Sequence, residues 1–250
     1  GCPGGVLVPF KTTAHVVNLS PNACAERRVK RLKKTVWASG HLHKLSQKGK
    51  RPPVCWFVTM TYAKANAWES THMSAAVKRF RNFCRRMRVP CRYTWVAEIQ
   101  PKRAERTGDH VVHYHLLAWL PKGVEMPPWH LPSGRAGKYA AFWPHGRCLS
   151  EVARSGVGYL MKYLSKFGEF SRFPKGLRLY GIGGLDEQAK SVSRWLNLPE
   201  WCKAENGVGD VARVAGRLVV RLTGELLAPA FRVQIVPGGL QLFALRQLPE

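Results

Sequence analysis

The sequence predicts an α+β domain built on an antiparallel sheet with flanking helices. Three observations predict it. Runs rich in β-branched and aromatic residues lie at 54–62, 92–99 and 111–120 and read as strands. Two stretches, 73–88 and 151–168, carry helical spacing. Only a polar loop separates the second and third runs, so those strands pair as a long antiparallel hairpin.

The elements follow in order. Val54 to Tyr62 (VCWFVTMTY) is expected as a buried strand. Met73 to Arg88 is expected as a helix, with Val77, Phe80, Cys84 and Met87 on one stripe and Lys78, Arg79, Arg81, Arg85, Arg86 and Arg88 around the remainder. Pro90 stops it. Arg92 to Ile99 and Val111 to Leu120 form the hairpin across the loop 100–110, where Gly108-Asp109 signals a turn. Pro127 to Gly146 is a Pro/Gly-rich loop, and Glu151 to Gly168 is a second helix with Gly168 as its C-terminal stop. From Ala204 the pattern turns to short strand-like runs. Three segments result: a basic N-terminal arm at 1–50, a catalytic domain at 51–203 and a small β-rich appendage at 204–250.

Charge narrows the partner. Forty Lys and Arg against fifteen Asp and Glu give a formal net charge of +25 and a sequence pI near 10.4. A field of that sign and size attracts polyanions, nucleic acid first among them. Between Glu26 and Arg51 there are ten Lys or Arg and one acid. Arg27, Arg28, Lys30, Arg31, Lys33 and Lys34, with Arg81 and Arg85 of the 73–88 helix, are the candidate phosphate contacts. The 45% of hydrophobic residues suffices for a core and excludes global disorder. No apolar run approaches the ~20 residues of a membrane helix. The seven Cys show no CxxC spacing, which excludes a zinc ribbon and suits a reducing compartment.

Two motifs carry chemistry. His113-Tyr114-His115 lies on a strand, where residues i and i+2 share a face. Both imidazoles point one way, and closure of the hairpin brings Glu98 beside them. Two His and a carboxylate leave coordination positions open, as a Lewis-acid site requires. Taken alone, such a pair also fits two hydrogen-bonded imidazoles in a half-buried strand. His41-Leu42-His43 repeats the spacing, but in a basic polar stretch without a strand pattern, and is not expected to bind metal. The second motif is Tyr159-Leu-Met-Lys162-Tyr163-Leu-Ser-Lys166. Positions i, i+3, i+4 and i+7 share a helix face, so two phenols and two ammonium groups form one stripe, with Leu160, Met161, Leu164 and Phe167 on the other side. A free phenol has a pKa of about 10. Neighbouring ammonium groups are expected to lower it and to hold phosphate oxygens. The bland alternative is a Tyr/Lys-decorated surface helix.

These residues resemble the HUH endonuclease superfamily, and within it the rolling-circle replication initiators. The correspondence covers roughly residues 54–200. Phe57-Val-Thr-Met-Thr61 is similar to a strand of the form FxTLT, His113-Tyr-His115 to a His-hydrophobic-His strand, and Tyr159-Leu-Met-Lys162 to a YxxK helix. The doubled YxxKYxxK resembles the two-tyrosine, phage gene A-type group. Met60 stands where the family often has Leu. The resemblance implies a sheet of about five strands with the tyrosine helix over its metal-bearing face. It implies Mg²⁺ or Mn²⁺ held by His113, His115 and Glu98, attack by Tyr159 or Tyr163 to leave a 5′-phosphotyrosine and a free 3′-OH, and charge stabilisation by Lys162 and Lys166. The implied partners are an origin presented as single-stranded DNA, a hairpin or a phage or plasmid origin, together with a host helicase and polymerase in the bacterial cytoplasm, and no membrane. A transposase or relaxase of the same chemistry, or a non-catalytic RRM-like nucleic-acid-binding module, are the rival readings.

Overall fold

The computed structural model describes residues 15–18, 21–47, 51–64, 67–99, 111–127, 129–130, 141–154, 156–165, 174–229, 231–237 and 239–244. Its elements in chain order are β1 (His15–Asn18), α1 (Pro21–Leu45), β2 (Val54–Thr61), α2 (His72–Arg86), β3 (Arg92–Ile99), β4 (Val112–Leu120), β5 (Cys148–Val152) and α3 (Gly156–Ser165). There follow β6 (Tyr180–Gly183), α4 (Glu187–Leu196), α5 (Glu200–Glu205), β7 (Val211–Val214), β8 (Arg217–Val220), β9 (Leu226–Leu227), β10 (Phe231–Val236) and β11 (Gly239–Ala244). The chain forms two compact units, residues 28–193 and residues 1–27 with 194–250.

The 28–193 unit is an antiparallel five-stranded sheet in the order β5-β2-β4-β3-β6 with helices on both faces, the α+β fold expected. The strand at its centre, β4, is buried along its whole length, as VHYHLLAWL requires when both faces are covered. One face carries Val58, Met60, Trp95, Tyr114, Leu116 and Ala118, and α2 seals it with Met73, Ala76, Val77, Phe80 and Cys84. The expected α2 stripe is therefore inward except at its end. Met87 lies just past the helix and is half-exposed, and the backbone turns over at Arg88 with φ +54°.

The opposite face carries Phe57, Val96, Leu117 and Trp119, packed against Leu32 and Val36 of α1 and Leu160 of α3. The basic stretch read as an arm is thus, from residue 28 to 45, a helix with one side on the sheet. That side also buries Thr35, Ser39 and His43, and Ser39 Oγ lies 3.0 Å from Thr94 Oγ1 of β3. Gly40 sits where any β-carbon would collide with the Val157 side chain, so a glycine there lets α1 and α3 approach closely. The second helix begins later than expected. Residues 148–152 are an edge strand paired to β2, and helix starts only at Gly156. Gly168 lies outside the described residues, as do the hairpin loop 100–110 and the segment 131–140.

His43 is fully buried and stacked on Trp119, ring centroids 4.3 Å apart. Burial, with Arg92 adding to it, lowers its pKa from 6.5 to about 4, against the opposing pull of the Tyr93 backbone and Asp186. The unfolded chain therefore takes up a proton near pH 6.5 that the folded chain refuses until about pH 4. Stability should fall with pH across that window, by up to about 3 kcal/mol. Urea denaturation at a series of pH values checks this. His43→Leu should flatten the slope between pH 6.5 and 4, and an unchanged slope would remove His43 as its source.

The other unit holds two small sheets, β1-β11-β10 and β7-β8-β9. The second packs Val211 and Leu218 on Cys202 of α5, and the Trp195 indole donates to the Asn206 carbonyl at 2.9 Å. The β-rich pattern read from 204 onward is present, joined by residues 15–18 through the β1–β11 pairing.

Candidate active site

Register assembles the site. Glu98 of β3 stands directly across from His113 of β4, and on the other side of β4 Thr61 pairs with His113 and Thr59 with His115. Alternation then puts Glu98, His113, His115, Thr59 and Thr61 on the face that α3 covers. All three chelating candidates are nearly enclosed, at 7% exposure for Glu98, 8% for His113 and 3% for His115. The His115 Nε2 atom lies 2.7 Å from Glu98 Oε2. On the far side of each ring, Thr59 Oγ1 is 3.3 Å from His115 Nδ1 and Thr61 Oγ1 is 3.5 Å from His113 Nδ1. The threonines engage one nitrogen of each imidazole and so set which nitrogen turns toward the carboxylate side, the role outer-shell partners play for ligating histidines.

The donor set has the composition of a divalent-cation site, two imidazoles and a carboxylate. Among the described residues, no group of three His, Cys, Asp or Glu is arranged around a metal position as it stands. The direct His115–Glu98 contact fills the space between those two donors.

The tyrosines arrive on α3. A ten-residue helix is marginal alone, so packing on the sheet positions it. Leu160 is buried, and Tyr159, Met161 and Tyr163 pack around the same apolar group. The Tyr163 ring stacks on His115 with centroids 3.6 Å apart and planes 14° apart. Phe57 lies under both phenol rings, 5.0 Å from Tyr159 and 5.8 Å from Tyr163. The expected stripe is thus divided. Tyr159 and Tyr163 face the sheet with Leu160, whereas Lys162 is exposed. Lys166 lies outside the described residues. The expected electrostatic activation is also corrected. Burial pushes the Tyr163 phenol above its ordinary pKa, and the negative charge of Glu98 adds to that.

Sequence reasoning places Phe57-Val-Thr-Met-Thr61 as a motif without assigning its side chains. Phe57 supports the tyrosines and the two threonines meet the two histidines. The signal is present as alternation: Phe57, Thr59 and Thr61 share one strand face. The decoy pair separates as expected of a helix. His43 is buried on Trp119, while His41 is exposed and lies 4.1 Å from the Trp37 ring.

The cationic candidates fall on two sides of the sheet. Arg27, Arg28, Lys30, Arg31 and Lys34 are exposed on α1 and Lys33 is half-buried there. Arg81 and Arg85 are exposed on α2, which covers the opposite face, and Arg85 donates to Asn82 Oδ1 at 2.9 Å. The fold does not gather them into one patch. Among the described residues, no helix is long and apolar enough to cross a membrane.

Residues 55–168 match the model of a family of replication-associated proteins, the ORF2 type. That segment runs from β2 to just beyond α3 and contains every residue of the site built above. No curated protein and no solved structure matches the chain.

Proposed function

We propose that this protein initiates rolling-circle replication by nicking and rejoining single-stranded DNA through a tyrosine–DNA intermediate. The observation that carries the reading is the placement of two phenols beside the Glu98–His113–His115 group. Tyr163 stacks on His115 and Tyr159 stands one turn before it on the same support, Phe57. The match to a replication-associated family over this segment favours an initiator above a relaxase or a transposase.

The chemistry needs a nucleophile, neutralisation of phosphate charge and in-line positioning. A phenol oxygen of Tyr159 or Tyr163 attacks the phosphorus of the scissile phosphodiester. A phosphorus–oxygen bond to tyrosine forms, the bond to the 3′ oxygen breaks, and the departing 3′ oxygen takes a proton. The phosphate stays on tyrosine as a 5′ ester, and the 3′-OH primes a host polymerase. Reversal by a 3′-OH of another strand end rejoins the DNA. His113, His115 and Glu98 would hold Mg²⁺ or Mn²⁺, which as a Lewis acid would neutralise charge on the phosphate. Thr59 and Thr61 keep the two imidazoles turned toward that position. Lys162, exposed outside the stack, stands where a strand on the outer side of α3 would pass, and Lys166 is assigned the same role from its sequence position. Two tyrosines one helical turn apart permit alternation, one holding the 5′ end while the other cuts again. Exposed cations on α1 supply sequence-independent attraction to the strand, and a host helicase supplies unwinding.

Incubating the protein with a pool of single-stranded oligonucleotides and Mn²⁺ tests this. A covalent adduct that survives denaturing electrophoresis and disappears with EDTA is expected. If no oligonucleotide gives an adduct while DNA still binds, the chain is a non-catalytic binding module.

A further inference from the structure

A second cavity opens on the sheet face away from the histidines. It has a volume of about 250 Å³ and its aromatic lining is Trp68, Tyr93, Trp95 and Tyr114. Tyr114 lies between His113 and His115 in sequence, so the residue that floors this cavity projects from the opposite side of the same strand. The floor is rigid. The Trp68 indole donates to the Tyr114 hydroxyl at 2.8 Å, and the Trp95 and Tyr114 rings meet edge to face with centroids 5.6 Å apart. Trp95 and Tyr114 are buried, whereas Trp68 and Tyr93 are half-exposed and offer ring surface at the mouth. Gly181 on β6 is required here, because a β-carbon at that position would collide with the Trp95 ring.

The rim is cationic. Lys78 and Arg81 of α2 and Arg178 before β6 surround the opening. The Arg178 guanidinium lies 5.9 Å over the Trp95 ring. Arg81 and Arg178 both act on the Tyr93 phenol, opposing the rise in its pKa that burial causes. Among the described residues, no carboxylate lines the cavity. Its volume falls just below the ~300–1,000 Å³ of whole-ligand sites, so it suits one flat ring system rather than a strand.

We propose that this cavity captures one unpaired nucleobase of single-stranded DNA, stacked against Trp68 and Tyr93, with Lys78, Arg81 and Arg178 on the flanking phosphates. Base stacking on aromatics with cations tracking the backbone is the general form of single-strand binding. A base within a duplex has both faces covered by its neighbours, so the cavity selects unpaired DNA. The inference rests on the reading of the protein as a DNA enzyme and adds a second contact on the reverse side of the strand that bears His113 and His115. A strand engaged at both places would have to pass around an edge of the sheet.

The test compares two 20-mers of equal charge, oligo-dT and a strand of abasic sites. Wild type should bind oligo-dT about tenfold or more tighter, since one stacked base is worth roughly 1–3 kcal/mol. Ser74 lines the cavity on the exposed side of α2, and Ser74→Trp fills it. That variant should lose about tenfold on oligo-dT and nothing on the abasic strand. A folded Ser74→Trp that keeps the full preference overturns the proposal, as does equal competition by poly-glutamate. Should Ser74→Trp not fold, photo-crosslinking of wild type to a 5-iododeoxyuridine 20-mer decides. Label on Trp68 or Tyr93 supports the cavity, and label confined to other residues refutes it. Adduct formation is scored separately. An adduct with an unaffected base preference removes the cavity and keeps the enzyme. A cavity-dependent preference without any adduct does the reverse.

Discussion

Tyr159→Phe together with Tyr163→Phe should abolish the covalent adduct and lower nicking by about 10⁴-fold or more, the scale of losing a nucleophile. The change removes two oxygen atoms and leaves both rings. Phe at 163 can keep the stack on His115, and Phe at 159 can keep its contact with Phe57, so the fold and the position of α3 should persist. Circular dichroism and DNA affinity should therefore match wild type. The single variants divide the work between the two phenols. Tyr163 is the more enclosed, its phenol held above the ordinary range by burial and by Glu98. An adduct that survives in the double variant would refute both assignments.

His113→Ala with His115→Ala should lower metal-dependent nicking by about 10³-fold, the several kcal/mol a Lewis acid contributes to phosphate charge stabilisation. DNA binding should remain and keep its salt dependence, because the exposed cations lie elsewhere on α1 and α2. The substitution also takes from Glu98 its 2.7 Å partner, so the variant should lose some stability. EDTA treatment of the wild type separates the effects, since it alters no residue. The same loss of nicking is expected, and nicking that continued in EDTA would make the histidines structural.

Much of the site can be read from the sequence because it depends on local parity. The HxH spacing fixes a shared face on a strand, and the short connection between the two runs forces their pairing, which sets Glu98 across from His113. What the sequence does not disclose depends on packing between elements. The spacing of Tyr159, Lys162 and Tyr163 shows that they are neighbours on a helix, but not where that face points. Leu160 decides it by joining Phe57 and Leu117 in the core, which turns the tyrosines inward and Lys162 out. The pairing of Thr59 and Thr61 with the histidines needs the β2–β4 register, which no local pattern encodes. Helix α1 reads as a free arm because its inner side mixes Leu32, Val36 and Leu42 with buried Thr35, Ser39 and His43, which dilutes the apolar period. Residues 148–152 merge with the following helix in the sequence pattern because this edge strand leaves Leu149 and Val152 exposed and so lacks the alternation of a half-buried strand.

If a tyrosine of α3 becomes bonded to DNA, trypsin offers a direct reading of it. Cleavage after Arg154, Lys162 and Lys166 yields one peptide, 155–162, containing Tyr159 and another, 163–166, containing Tyr163. Mass spectrometry of the digested adduct should find the nucleotide on one or both of these peptides, attached through a 5′-phosphate. A nucleotide carried by any other peptide would rule out both tyrosines as the nucleophile, and attachment through a 3′-phosphate would reverse the polarity of cleavage proposed for them.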